Sequence, residues 1–297
     1  MIKISVITSL YRGGNYLQSY LEHVKRITNP DEVEILLLHN DPTLEELNII
    51  RNNINDIPFI KHIIIPEREG LYATWNRGVK LAQGEYCAIW NVDDVRTSDS
   101  LVLQAKCLDE NKDADITYGK FMSVYQYGDI NGDLIDDPDF TPSIAKERHL
   151  IGCFPMWRKS IHEKIGYFDE QFKLVADFEF QIRASFFCKI AKVKGGFLGY
   201  YLEGVSDKLS SNKQQQMLEQ SKIDIRYGFY SQMDLCYVFF KYKFKTSSIL
   251  SGQKKYAIST FIPQIHKYKL SHSPLIIIAI LRFPYCLARY LKHKLFN

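Results

Sequence analysis

Four apolar runs alternate with segments of helical period over the first ninety residues, and this limits the fold more than any other feature. The runs are IKISVITSL (2–10), VEILLL (33–38), FIKHIII (59–65) and EYCAIW (85–90). A continuous apolar run bounded by turn residues is the pattern of a parallel strand covered on both faces. Between them, 14–27, 43–54 and 70–83 read as helices. In the last of these Leu71, Trp75, Val79 and Ala82 share one face. The order β-α-β-α-β-α-β predicts an α/β fold: a doubly wound, mostly parallel sheet with helices on both faces. Ligands of such sheets bind beyond the carboxyl ends of the strands. Tyr11, Asn40, Asp41, Asp93 and Asp94 all follow strands and are expected at that one edge.

Further along, the pattern loosens. A helix is expected at 98–111, a strand near 115–125 and a Gly-, Pro- and Asp-rich loop at 127–143. A strand at 151–157 and helices near 159–165 and 177–188 follow. The expected domains are a catalytic domain at 1–205, a linker or helical extension at 206–234 and a basic C-terminal region at 235–297. With 46% hydrophobic and 24% charged residues, the 297-residue chain has the composition of a folded globular protein. Six scattered cysteines without a CxxC pair point to a reduced interior and away from disulfides or structural zinc. A strand beginning at residue 2 leaves no room for a signal peptide, so a cytoplasmic location is expected.

Charge divides the chain. Residues 1–234 hold 27 Lys/Arg against 34 Asp/Glu, whereas 235–297 hold 11 Lys/Arg, 12 Phe/Tyr and no acid. A basic, aromatic tail suits an anionic membrane surface. Its apolar stretch at 275–281 is seven residues long, too short to span a bilayer but suited to an in-plane amphipathic anchor. Peripheral attachment to the inner face of the cell membrane is therefore expected, and nucleic acid is not an expected partner.

Three segments carry chemistry. NVDD (91–94) places carboxylates at the end of a buried strand, where a hard divalent cation would compensate their charge and a helix cap or turn would be the plainer use. Asp177 and Glu179 open a helix, where a carboxylate can serve as general base or simply complement the helix dipole. EREGLYATWNRG (67–78) brings Gly70 and Gly78 for close backbone approach, and Arg68 and Arg77 for phosphate or base. HExxH, GxSxG, the P-loop and GxGxxG after the first strand are all absent, which argues against zinc hydrolases, α/β-hydrolases, P-loop enzymes and nicotinamide-binding Rossmann enzymes.

In order and spacing these segments resemble the family 2 inverting glycosyltransferases of GT-A fold. The resemblance rests on SVITSLYRGGNYLQSYLEHV, EILLLHNDPT, EREGLYATWNRGVKLAQGEYCAIWNVDD, GCFPMWRKSIHEKIGYFDE and ADFEFQIR, over roughly residues 2–205. It implies transfer of a sugar from a nucleotide diphosphate donor, UDP by preference, to a hydroxyl of a glycan or lipid-linked acceptor. Tyr11, Asn40, Asp41, Arg68, Gly70, Arg77, Asn91 and Asp94 would bind the donor, and Asp93 would hold Mn²⁺ or Mg²⁺. Asp177 would be the catalytic base. Glu203 falls on the metal or diphosphate side, and Trp157 and Glu179 on the acceptor side. Departures stand at Leu10 and Arg12 in the opening turn, Asn91 for the first acid of DxD, Ala176 for the Glu before the base, and Glu203 for a His. A degenerate binding module of the same fold, and a metal-dependent nucleotidyltransferase, remain as alternatives.

Overall fold

The structure, a computed structural model, describes residues 1–203 and 212–227 and isolated positions between 284 and 295. The expected boundaries at 205/206 and 234/235, and nearly all of the basic region, lie outside the described residues. The chain divides into two compact units: Met1–Glu170 with Phe180–Ser206, and Gln171–Glu179 with Asp207–Asn297.

In the first unit β1 (Ile4–Leu10), β2 (Val33–Asn40), β3 (Ile60–Ile65) and β4 (Tyr86–Ile89) alternate with α1 (Gly14–Val24), α2 (Leu44–Asn53) and α3 (Leu71–Leu81). Then come β5 (Val95–Arg96), α4 (Ser100–Glu110), β6 (Ile116–Val124), β7 (Asp133–Ile135), α5 (Ile144–Glu147), β8 (Met156–Arg158), α6 (Ile161–Ile165) and, after α7 (Ala176–Ser185), β9 (Ile190–Leu202). The strands form one sheet in the order β3-β2-β1-β4-β8-β6-β9-β5, with β7 pairing β6. The expected mostly parallel α/β sheet is found. The sequence reading did not include β5, α5 or β9, the last being the longest strand of the sheet. The strand expected at 151–157 is the short β8, and the stretch 127–143 contains β7.

Strand alternation sends side chains to two covered faces. Ile4, Val6 and Leu10 of β1 and Val33, Ile35 and Leu37 of β2 share a core with Leu17, Tyr20 and Val24 of α1, Ile50 of α2 and Leu101 and Leu108 of α4. The opposite residues, Ile7 and Leu38, meet α3. A Cβ at Gly78 would lie 2.5 Å from Ile7 Cγ2 and 3.0 Å from Leu38 Cδ1, so glycine lets α3 seat directly on the sheet. Outboard of α3, Phe168 stacks on Phe180 at 4.4 Å and packs edge-on to Trp75 and Trp157 at 5.3 and 5.8 Å. Asn76 locks this cluster through bonds to the Phe168 backbone, N–H and carbonyl both at 2.9 Å.

Strand direction sets where the loops gather. β1, β2, β3 and β4 are mutually parallel. β8 is antiparallel to both β4 and β6, so β6 runs parallel to β4, and β9 runs parallel to β6. The carboxyl ends of six strands therefore share one edge.

The second unit holds α8 (Lys213–Tyr227). Its buried Glu219 accepts the backbone N–H groups of Lys173 and Leu174 at 2.8–3.1 Å, in the segment that leads into Ala176.

Candidate donor site and catalytic residues

At the shared edge the turns after β1 and β2 face each other. Arg12 and Asp41 are both non-glycine residues in left-handed backbone, φ 52° and 42°. Their side chains form an ion pair at 2.6 Å. Left-handed backbone in residues with a Cβ is uncommon and persists where surrounding structure over-determines it. The backbone just after each of these residues is held by Glu46, 1% exposed in the first turn of α2. One of its oxygens accepts the Gly13 N–H at 2.8 Å. The other accepts the Thr43 N–H at 3.1 Å and the Thr43 hydroxyl at 2.8 Å, while the Thr43 oxygen caps Glu46 N–H. Burial alone would raise this carboxyl; the bonds from Thr43, His39 and Gly13 outweigh it and hold it below the usual range. His39, fully buried, donates Nε2–H to Glu46 at 3.2 Å and receives His62 Nε2–H on Nδ1 at 3.1 Å. Burial pushes both imidazoles below their ordinary value, so they remain neutral partners.

Tyr11 lies beside this pair, with the Arg68 guanidinium 3.9 Å from its ring centroid and Arg12 at 5.3 Å. Tyr11, Arg12, Asp41 and Arg68 are thus one cluster, offering a π-face, a carboxylate and two guanidinium groups. Asn40 plays a different part: it is 1% exposed and binds Thr74 Oγ1 at 3.0 Å and Glu69 N–H at 3.1 Å. It ties the end of β2 to the start of α3. At the N-cap of α3, a Cβ on Gly70 would meet nothing within 4 Å, so the protein's own packing does not require glycine there. Arg77 forks onto Glu69 with bonds of 3.0 and 2.8 Å and is occupied by that exposed pair.

After β4 the chain turns tightly. Asn91 Nδ2 donates to Asp94 Oδ2 at 3.1 Å, Asp94 N–H to the Asn91 carbonyl at 3.1 Å and Trp90 Nε1–H to the Asp94 carbonyl at 2.9 Å. Asp94 is 1% exposed, and the equally buried Arg96 provides opposite charge. Burial pushes the Arg96 guanidinium down to about 9, with Asp94 acting in the other sense. Asp94 is buried, whereas Asp93, two residues beyond Asn91, is partly exposed. Tyr127 closes this side: its ring lies 4.9 Å from that of Tyr16, and burial together with Asp93 and Asp94 pushes its phenol up. Among the described residues no group of three or more His, Cys, Asp or Glu is arranged to hold a metal.

Four candidates remain: Trp157, Glu203, Asp177 and Glu179. Trp157 is 1% exposed and donates to His162 at 2.8 Å, a core residue with no face for an acceptor. Glu203 follows β9 and accepts the Ser123 hydroxyl. In the second unit Asp177 is half-buried in the first turn of α7, its Oδ1 accepting Phe178 N–H at 2.8 Å. Glu179 is fully buried and receives the Tyr227 hydroxyl. Sequence reasoning missed Glu46, His39 and Tyr127. Only Glu46 had a local signal, the T-x-x-E spacing of a capping box at 43–46.

Residues 5–166 match the family model described as glycosyl transferase family 2. The chain belongs to that family. It is 29% identical over 195 residues to an uncharacterised glycosyltransferase of Methanocaldococcus jannaschii, covering 61% of this chain and 63% of that one. It is 26% identical over 129 residues to the glycosyltransferase GlyG of Streptococcus pneumoniae, covering 43% and 41%. It spans less than two thirds of the length of either relative. Among solved structures, S. aureus TarS 1–349 in complex with UDP-GlcNAc superposes with a TM-score of 0.62 at 19% identity, over 94% of this chain and 79% of that chain. At that identity the likeness establishes the GT-A fold alone.

Proposed function

We propose that the protein transfers a sugar from a UDP-sugar to a hydroxyl of a glycan or lipid-linked acceptor, with inversion at the anomeric carbon. The observation that carries this reading is the cluster of Tyr11, Arg12, Asp41 and Arg68 at the carboxyl edge of a family 2 sheet, on the side where the Asn91–Asp94 turn follows β4. Tyr11 stacks on the base and Asp41 accepts its imide N–H. The first-turn N–H groups of α3 and Arg68 face the diphosphate.

The donor set fits a hard divalent cation, Mn²⁺ or Mg²⁺. Such ions are held by one or two carboxylates together with substrate phosphates, so a three-residue protein cage is not needed. Asp93 would be its carboxylate, with the Asn91 side-chain amide oxygen beside it, and Asp94 would hold the turn. The ion supplies charge neutralisation on the departing diphosphate. Asp177 takes the proton of the acceptor hydroxyl. The acceptor oxygen attacks the anomeric carbon from the face opposite UDP, and UDP leaves with the bonding electron pair.

Thermal unfolding with nucleoside diphosphates, each with and without Mn²⁺, tests the donor site. UDP at 100 times its dissociation constant adds about 2.7 kcal/mol of stability. The shift is expected to require Mn²⁺ and to vanish in Asp93→Ala. Asp177→Asn keeps the shift and loses transfer; wild-type transfer by that variant would remove Asp177 from the mechanism.

We further assign residues 235–297, with 11 Lys/Arg and no acid, to the anionic face of the cell membrane. No helix among the described residues is long and apolar enough to cross a membrane.

A further inference from the structure

At the carboxyl end of β6 the chain carries a second constellation at the same edge as the donor cluster. Phe121, Ser123 and Tyr125 succeed one another at alternate positions. Ser123 is in register with Asp133 of β7 and Tyr201 of β9, and Phe121 packs edge-on to Tyr201 at 6.3 Å. Glu203 follows β9, its backbone N–H bonded to the Val124 carbonyl at 2.8 Å and its carboxylate taking the Ser123 hydroxyl. Tyr127 turns inward against Tyr16, but Tyr125 stays 60% exposed. Its ring is nonetheless held, because its hydroxyl donates to Asp133 Oδ2 at 2.7 Å. That bond, with the nearby carboxylates of Asp133 and Glu203, pushes the phenol up.

A fixed aromatic ring left in water, flanked by two carboxylates, matches the chemistry of a pyranose. The sugar's C–H face is apolar and lies flat on an aromatic ring, while its rim of hydroxyls donates to carboxylates. A ring ordered before contact loses less freedom on binding. The Asn91–Asp94 turn leads into β5, whose Val95 is in register with Tyr200 of β9, and Tyr200 is in register with Met122 of β6, so at the usual strand spacing the last residues of β6 stand roughly 10 Å from the end of that turn. That is beyond the nucleotide cluster and on the side away from β2 and β3. We propose that Tyr125, with Asp133 and Glu203, is a sugar platform that seats one ring of the acceptor glycan. Glu203 belongs to this platform, not to the diphosphate. The proposal rests on the glycosyl-transfer reading above.

The test uses the full chain with UDP and Mn²⁺ and three probes: the methyl β-glycosides of glucose, galactose and N-acetylglucosamine. Saturation-transfer NMR reads glycoside and UDP separately. At least one glycoside is expected to receive saturation, with affinity roughly tenfold weaker in Tyr125→Ala, the usual scale for truncating an aromatic anchor. Tyr125→Phe keeps the ring and stays within about twofold of wild type, on the same argument that the ring is the anchor. UDP binding and melting temperature are unchanged in both variants. Absence of saturation on every glycoside overturns the platform, as does equal binding by Tyr125→Ala, or a loss in Tyr125→Phe as large as in Tyr125→Ala. Failure of UDP alone, with glycoside binding still dependent on Tyr125, would overturn the donor reading and leave the platform standing.

Discussion

His162 illustrates how one buried residue can set a pH response. Trp157 donates to its Nε2 at 2.8 Å, so the proton sits on Nδ1, which donates to the Gly166 carbonyl at 2.9 Å. Burial depresses its pKa to about 4. The unfolded chain, with an imidazole near 6.5, binds more protons than the folded one between these values, so stability falls as pH drops from about 6.5 to 4. The full contribution is on the order of 3 kcal/mol. His39 and His62, also depressed, act in the same direction. Urea unfolding at pH 7 and pH 5 measures this: wild type is expected to lose stability on acidification, and His162→Gln to lose distinctly less. An equal loss would show that His162 does not carry the effect. NVDD and Trp157 show what residue identity alone leaves open. The tetrapeptide named the acids, but the tertiary structure is what buries Asp94 near Arg96 and leaves Asp93 partly exposed.

At the scale of elements, Glu46 does what no single loop does for itself. It joins the turn after β1 to the turn after β2, and both turns carry a left-handed residue. A glutamine at 46 keeps the shape but turns an N–H₂ toward the Gly13 or Thr43 N–H. Losing a bond to a charged acceptor costs about 2 kcal/mol. Glu46→Gln is therefore expected to lower the unfolding free energy measured with urea by that amount and to weaken UDP binding further than stability alone explains, because Arg12 and Asp41 lose their setting. Unchanged UDP affinity would limit Glu46 to a structural part. The elements up to β4 were legible because each is a short local pattern with its own turn residues. The segment 127–143 was not: β7 has three residues and is held by long-range pairing to β6, which local periodicity does not encode.

Across the whole molecule, charge is divided along the chain. The first 234 residues carry an acidic excess, and the last 63 are basic without an acid. Each basic group near an anionic leaflet adds about 1 kcal/mol, and the attraction is screened by salt. The full-length protein is expected to pellet with phosphatidylserine-containing vesicles at low salt, to release as salt rises, and not to pellet with neutral vesicles. Salt-independent pelleting, or none, would sink the membrane assignment.

By itself, the sequence determined the alternation of strands and helices, the edge at which Tyr11, Asp41 and Asp93 gather, and the glycine that seats α3 on β1. These follow from residue periodicity and from turn chemistry, both properties of neighbouring residues. The tertiary structure decided the rest. It buried Asn40 and Trp157, committed Arg77 to Glu69 and reversed β8 so that β6 and β9 run parallel to β4. Such outcomes depend on which distant strand supplies a partner for each polar group and which face it covers. That information lies in the packing of the sheet, and it is what placed Tyr125 and Glu203 at the same edge as Asp93.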